Sequence, residues 1–379
     1  MRILFISGYN HPSHHRKVEL LADSAEVEIL HILGPESGRT SGAYLSANAQ
    51  REYKIHILPV RQLGHAGDPH RAIHWPPRFG LRDFRPDIIH CEHEQESLMA
   101  AEIALARDAL AHTTPLVLHS WQNILRQRSW PVRMICAYTR RAARFVLCGN
   151  QGAADVLRQQ GYRGGIALTN IIGLDRRYFY PKPVPELRAR LQLTEPTIGY
   201  FGRRVREKGI DTLLQAIAQL ASRPQVVIGG SGPETGNLVA LAQNLGIASQ
   251  CHFLDGSAIP YDLLVDYINL LDILVVPSRT TPQWKEQLGR VVLEGMGCRV
   301  AVVGSDSGAI PAVIGPGGRV FPEDDARTLA HTLDELIANP QLRQELAEIG
   351  YRRVLELFSV ECLAEDVLKV WKSLAGQRE

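Results

Sequence analysis

Glu286-Gln287-Leu288-Gly289-Arg290-Val291-Val292-Leu293-Glu294-Gly295-Met296-Gly297-Cys298 sets a short polar turn ahead of an apolar run, with one carboxylate before the run and one inside it. The run predicts a helix over 288–296. A helix start carries unpaired backbone N–H groups and a partial positive charge, so the glycine-bearing turn before it is a natural seat for a diphosphate. If the interval is helical, a rise of about 1.5 Å per residue puts Glu286 and Glu294 on the order of 12 Å apart. That is wider than the roughly 5 to 9.5 Å of a paired-carboxylate glycosidase. It suits a ligand gripped at both ends with phosphates between, such as a nucleotide sugar.

Working outward, short β-branched runs alternate with helical patterns, the mark of βαβ units and parallel sheets. Strands are expected at 2–7, 26–32, 53–59, 87–91, 115–119, 145–148 and 166–168. The proline-rich stretch Pro181-Lys182-Pro183-Val184-Pro185 reads as a linker. After it come strands at 197–201, 225–228, 251–254, 273–276 and 300–304, with helices at 210–221, 235–245, 260–270, 288–296, 325–338 and 340–357. A final amphipathic helix, 359–374, has no strand after it. The pattern predicts an α/β protein of two Rossmann-like lobes with parallel sheets, 1–182 and 183–359, the terminal helix 360–379 completing the first. Segments 34–52 and 63–86 read as long irregular loops.

A chain of 379 residues exceeds what one hydrophobic core usually supports. No stretch has the roughly 18 apolar residues of a membrane span, and 1–7 is too short for a signal-peptide core and reads as a buried strand. Six scattered cysteines predict reduced thiols in a cytosolic setting, with no disulfide and no structural metal. Net charge is +2, yet residues 1–190 carry 25 Lys and Arg against 17 Asp and Glu, and residues 191–379 carry 17 against 23. The basic half suits an anionic acceptor or a bilayer surface.

Two loops at predicted strand ends point to phosphate chemistry. Gly202-Arg203-Arg204-Val205-Arg206-Glu207-Lys208-Gly209 follows a strand and opens a helix. Arg203 can fork onto phosphate oxygens and Lys208 can add a point charge; a solvated basic turn is the alternative. Gly229-Gly230-Ser231-Gly232-Pro233-Glu234 lets backbone approach a ligand, or is a plain strand-to-helix turn. It lacks the dinucleotide-binding glycine spacing.

The order of these motifs carries a resemblance. Gly202-Arg203…Lys208-Gly209, Gly230-Ser231-Gly232-Pro233-Glu234, Asp272–Ser278, Glu286-x7-Glu294 and Ser305-Asp306-Ser307-Gly308 together resemble family 4 glycosyltransferases of GT-B fold. The resemblance implies two lobes facing across a cleft and a retaining transfer of a hexose from a UDP- or GDP-linked sugar to a hydroxyl of a sugar, lipid-linked or small-molecule acceptor. It implies Arg203 and Lys208 on the donor diphosphate, Glu286 on the sugar hydroxyls and Glu294 on the ribose, with Gly202, Gly230, Ser231, Gly232 and the amides of Gln287, Leu288 and Gly289 assisting. It implies no metal, no other cofactor and no nucleic acid. A GT-B isomerase or phosphorylase, or a non-catalytic nucleotide-sugar-binding subunit, would share the architecture.

The chain departs from the family pattern in several places: no Gly-Gly pair in the loop 8–16, and Ile172 where an Asn usually precedes Gly173. Ala312, Arg299 and Ala301 also replace common family residues. His119 is the candidate for a polar contact at the reacting sugar, with a buried, satisfied histidine as the alternative. Glu92-His93-Glu94-Gln95-Glu96 follows a strand end, where its acids face a ligand or favour the next helix start. His11, His14 and His15 lack a completing carboxylate or thiol nearby in sequence, which argues against metal. The stretch 124–141 mixes arginines with large apolar groups, an ordinary packed helix or a surface for an anionic bilayer.

Overall fold

The computed structural model describes residues 1–8, 12–24, 27–33, 55–59, 61–63, 73–75, 79–110, 113–193, 196–256 and 259–376. The chain divides into two compact units, Met1–Gly173 with Val360–Glu379, and Leu174–Ser359.

The first unit contains β1 (Arg2–Ser7), α1 (Pro12–Ala22), β2 (Glu28–Leu33), β3 (Ile55–Pro59), β4 (Arg61–Leu63), β5 (Ile73–Trp75), α2 (Leu81–Phe84), β6 (Ile88–Cys91), α3 (Leu98–Ala109), β7 (Leu116–Ser120), α4 (Trp130–Ala142), β8 (Ala143–Cys148), α5 (Gln151–Gln159) and β9 (Gly165–Leu168). Its main sheet has strand order β3-β2-β1-β6-β7-β8-β9, and every pairing is parallel. β4 and β5 form a separate antiparallel pair, so the stretch read as an irregular loop over 63–86 holds a strand and a short helix. His11 and all of 34–52 lie outside the described residues.

The second unit contains α6 (Pro185–Arg190), β10 (Thr197–Phe201), α7 (Ile210–Ile217), β11 (Gln225–Gly230), α8 (Thr235–Asn244), β12 (Cys251–Asp255), α9 (Leu264–Ile268), β13 (Ile273–Val276), α10 (Arg290–Gly297), β14 (Ala301–Ser305), α11 (Ile310–Ile314), β15 (Gly318–Phe321), α12 (Ala326–Ala338) and α13 (Pro340–Leu357). α14 (Val360–Ala375) then packs in the first unit, where Val367, Trp371 and Leu374 join Ile3, Phe5 and Val18 in one core. Trp371 Nε1 donates to His90 Nδ1 at 2.9 Å.

In the second sheet the strand order is β12-β11-β10-β13-β14-β15, again all parallel. Its central strands are buried on both faces. Along β13, Leu274 and Val276 enter one core while Ile273 and Val275 enter the other, the two-residue period of a strand covered on both sides. Chain order reverses between β10 and β13. In an open α/β sheet such a switch point, at the carboxyl ends of the strands, is where ligands bind. The loops 202–209, 230–234, 277–289 and 305–309 all leave carboxyl ends in this sheet.

Candidate functional site

Lys208 and Glu286 meet at this switch point. Lys208 closes a single 3₁₀ turn, Arg206–Lys208, after β10, and its Nζ lies 2.6 Å from Glu286 Oε2. The Ser278 hydroxyl, just past β13, donates to the same oxygen at 3.0 Å. Gly289 N–H donates to Glu286 Oε1 at 3.2 Å. The Lys208 ammonium also stands 4.7 Å from the centre of the Trp284 ring, a cation–π contact that guides its stem. The two side chains are 18% and 10% exposed, so the pair is largely shielded from bulk water.

The backbone around this pair is fixed by close approach. Gly308 has φ 58°, and a side chain there would place a Cβ 2.0 Å from the Glu286 carbonyl oxygen; Ala309 N–H donates to that same oxygen at 3.0 Å. Gly289 takes φ 69° and caps α10, which therefore begins at Arg290 rather than at 288. The helical rise applies only to 290–294, and the 12 Å spacing that assumed a helix across the whole interval does not carry over. One of the three turn amides, that of Gly289, already serves Glu286. The Leu288 side chain is buried in the apolar core, and Gln287 is half-buried.

Other predicted donor-binding residues spread along the same strand ends. Gly202, Gly230 and Gly256 press backbone against backbone: a Cβ at Gly230, φ 140°, would meet Gly202 O at 1.8 Å, and one at Gly256 would meet Gly230 Cα at 2.5 Å. Ser231 O accepts Arg204 N–H at 2.9 Å, and the Gly232 carbonyl accepts the Thr235 hydroxyl at 2.8 Å. The basic turn splits in two directions. The Arg203 side chain is 68% exposed, 4.0 Å from Glu207, whereas Lys208 turns inward. Glu294 is buried on α10 with Arg290 Nε 3.1 Å away. Burial pushes its carboxyl pKa up against the pull of Arg290.

Sequence reading missed three contributors. Arg204 is buried, and its Nη2 donates to the carbonyls of Ile228 and Leu254, tying the basic loop to the ends of β11 and β12. Arg279 joins Asp211, Thr212 and Asp324. Trp284 flanks Lys208. An arginine inside a basic run and a tryptophan in a loop give no signal of such contacts.

In the first unit, His119 lies within β7, is 3% exposed, and its Nε2 stands 3.2 Å from Thr169 O. Burial lowers its pKa to about 3, so it is a neutral imidazole committed to a backbone carbonyl. This geometry favours the buried, satisfied histidine over the sugar contact.

The acidic run separates into three ion-pair or hydrogen-bond roles instead of serving a helix start, and Ser97 caps α3. Glu92 takes Lys17 at 2.6 Å and His14 at 2.5 Å, all three buried. Burial opposes ionisation of Glu92, but Lys17 and His14 hold its carboxyl well below the usual range. Glu94 accepts from Ser120 Oγ at 2.8 Å and from the N–H groups of Trp121 and Gln122 at 2.6 and 3.1 Å. Glu96 pairs with Arg128. Among the described residues no group of three metal-ligating side chains converges, and no helix is long and apolar enough to cross a membrane. All six cysteines are free thiols.

Residues 185–353 match the family model described as glycosyl transferases group 1. The chain is 29% identical over 221 residues to alpha-maltose-1-phosphate synthase of Mycolicibacterium smegmatis, which covers 54% of this chain and 56% of that protein. It is 33% identical over 209 residues to D-inositol 3-phosphate glycosyltransferase of Corynebacterium jeikeium, covering 50% and 48%. It thus spans about half the length of these curated relatives. Among solved structures, Anabaena HepE in complex with UDP aligns with a TM-score of 0.75 at 19% identity, over 98% of this chain and 100% of that one. That likeness is one of fold: two Rossmann-like parallel-sheet lobes, the GT-B architecture. The matching model is that of group 1, which corrects the assignment to family 4 drawn from the motif order. Those motifs describe a seat at strand ends and do not carry a family number.

Proposed function

We propose that the protein transfers a hexosyl group from a nucleoside-diphosphate sugar to an acceptor hydroxyl, with retention at the anomeric carbon, in glycan or glycolipid synthesis. The Lys208–Glu286 pair at the switch point of the second sheet carries this reading. Lys208, the outward-turned Arg203 and the start of α10 take the diphosphate. Glu286, oriented by Ser278 and Gly289, takes sugar hydroxyls, and Glu294 takes the ribose. Thus Leu174–Ser359 is the donor lobe and the other unit is the acceptor lobe.

In the reaction the acceptor oxygen bonds to the anomeric carbon as the bond to the β-phosphate oxygen breaks. The departing oxygen takes the electron pair and the acceptor proton. Lys208 and the helix start stabilise the charge that develops there. Glu286 is held by an ammonium, a hydroxyl and an amide, an arrangement suited to orienting hydroxyls and not to nucleophilic attack. The test is incubation of the full chain with UDP- and GDP-hexoses and sugar or lipid-linked acceptors, with the product anomer read by NMR. An α-linked product from an α-linked donor is expected. Binding of nucleotide sugars without consumption of any donor overturns the transferase reading, and an inverted product overturns retention.

A further inference from the structure

We infer that Trp284 is the platform on which the hexose of the donor rests, its indole face taking the C–H face of a pyranose. This rests on the reading of the Lys208–Glu286 seat as a nucleotide-sugar site. The groups assigned above to the donor are all polar: Lys208, Arg203, Glu286, Glu294 and the start of α10 serve phosphates and hydroxyls. A pyranose also presents a face of C–H bonds, which such groups do not satisfy. Leu288 does not supply the apolar surface, because its side chain is buried in the core. Trp284 stands two residues before Glu286 and is half-buried. Its ring centre lies 4.7 Å from Lys208 Nζ, and that same ammonium lies 2.6 Å from Glu286 Oε2. One ammonium touches both groups, so the ring and the carboxylate flank one small volume.

The ring is held in place before any ligand arrives. Thr281 N–H donates to Trp284 O at 2.8 Å, and the Thr281 hydroxyl accepts from the N–H groups of Gln283 and Trp284 at 3.3 and 3.0 Å, closing a turn that Pro282 stiffens. The base of the turn is tied on two sides. Arg279 N–H donates at 2.9 Å to the carbonyl of Glu207, the neighbour of Lys208, and Thr280 Oγ1 meets Ser307 Oγ at 3.1 Å and the Glu323 carboxylate. Gly209, with φ 63°, lets the loop of Lys208 lie against Pro277, where a Cβ would stand 1.9 Å from the carbonyl oxygen. The negative face of an indole attracts an ammonium, and it attracts the weakly positive C–H groups of a sugar for the same reason. A bound diphosphate draws Lys208 Nζ off the ring toward the phosphates, and the hexose takes the vacated face. Trp284 then bears on the hexose and not on the nucleotide, whereas a ring that only guides the lysine stem bears on both alike.

Calorimetric titration of the full chain with UDP, GDP, UDP-glucose, UDP-galactose and GDP-mannose tests this, for wild type, Trp284→Leu and Trp284→Phe. The leucine keeps apolar bulk beside the lysine stem and removes the aromatic face. It should weaken nucleotide-sugar binding by about tenfold and leave the matching nucleotide within about twofold of wild type. Phenylalanine restores a face and should recover most of the loss. Retained nucleotide binding shows that the seat is intact in each variant. A readout on the wild type needs no variant: Overhauser transfer from indole protons should reach the hexose C–H protons of the bound donor. The inference is overturned if Trp284→Leu weakens nucleotide and nucleotide sugar equally, or neither, or if Trp284→Phe binds no better than Trp284→Leu. Absence of the Overhauser transfer overturns it as well. In all these cases the donor is still bound, so the reading of the seat stands. If wild type binds neither nucleotides nor nucleotide sugars, that reading itself fails and the platform with it.

Discussion

Lys208 and Glu286, 78 positions apart in the chain, form an ion pair of 2.6 Å that joins the loop after β10 to the loop after β13. In a parallel sheet these strands are neighbours, and the pair bridges the two loops that flank the switch point. An ammonium already facing a carboxylate is restrained in position before any phosphate arrives, which lowers the cost of ordering it.

Lys208→Met keeps the stem beside Trp284 and removes the charge. Donor turnover should fall by about 10²-fold or more, the usual cost of losing one donor to a developing oxyanion. Glu286 would keep Ser278 and Gly289 as partners, so stability should drop by only about 1–2 kcal/mol, a few degrees in melting temperature. Parallel assays of melting and donor consumption check this. Proportionate losses in both would make the lysine a structural brace.

Gly230→Ala should destabilise the protein by about 2–4 kcal/mol, because its Cβ meets the Gly202 carbonyl oxygen at 1.8 Å and its φ is 140°. Gly236→Ala, on α8 with open space around the new Cβ, should be neutral or stabilise by up to about 1 kcal/mol. Denaturant titration of the two variants separates a required glycine from an incidental one. Similar midpoints would show that the strand-end loops can part.

The alternation of strands and helices was legible because both sheets are covered on both faces and their strands read as apolar runs. β15 escaped that reading: Gly318-Arg319-Val320-Phe321 is four residues long and follows a glycine-rich turn, too little for a period to show. The helix start at Arg290 was misplaced by two residues because Leu288 is apolar for the core and not for a helix. At the candidate site, residue types were readable and pairings were not. Lys208 finds Glu286, and Glu94 finds Ser120, only through strand adjacency, which no local spacing encodes.

His119 should remain neutral across the ordinary pH range. Burial lowers its pKa to about 3 and Thr169 O fixes its Nε2. Ring NMR signals assigned with a His119→Gln variant should not move between pH 5 and pH 8. A midpoint near the ordinary value of 6.5 would mean that the imidazole reaches water and is open to a catalytic role.

Glu94 makes stability depend on pH in the direction opposite to most carboxylates. Burial pushes its carboxyl up to about 7, although Trp121 N–H, Ser120 Oγ and Gln122 N–H all favour the ionised form. Below the ordinary value of 4.5 the group is protonated in both the folded and the unfolded chain and has no effect. Between 4.5 and about 7 the folded chain holds a proton that the unfolded chain has lost, so stability falls as pH rises and levels off above 7. The full cost is on the order of 3 kcal/mol. Glu94→Gln keeps an acceptor for the two amides and turns the other atom into a donor for Ser120 Oγ. The variant should therefore match wild type near pH 4.5 and exceed it in unfolding free energy by pH 8. A gap that stays constant from pH 4.5 to 8 would mean that the three hydrogen bonds outweigh burial and keep Glu94 ionised throughout.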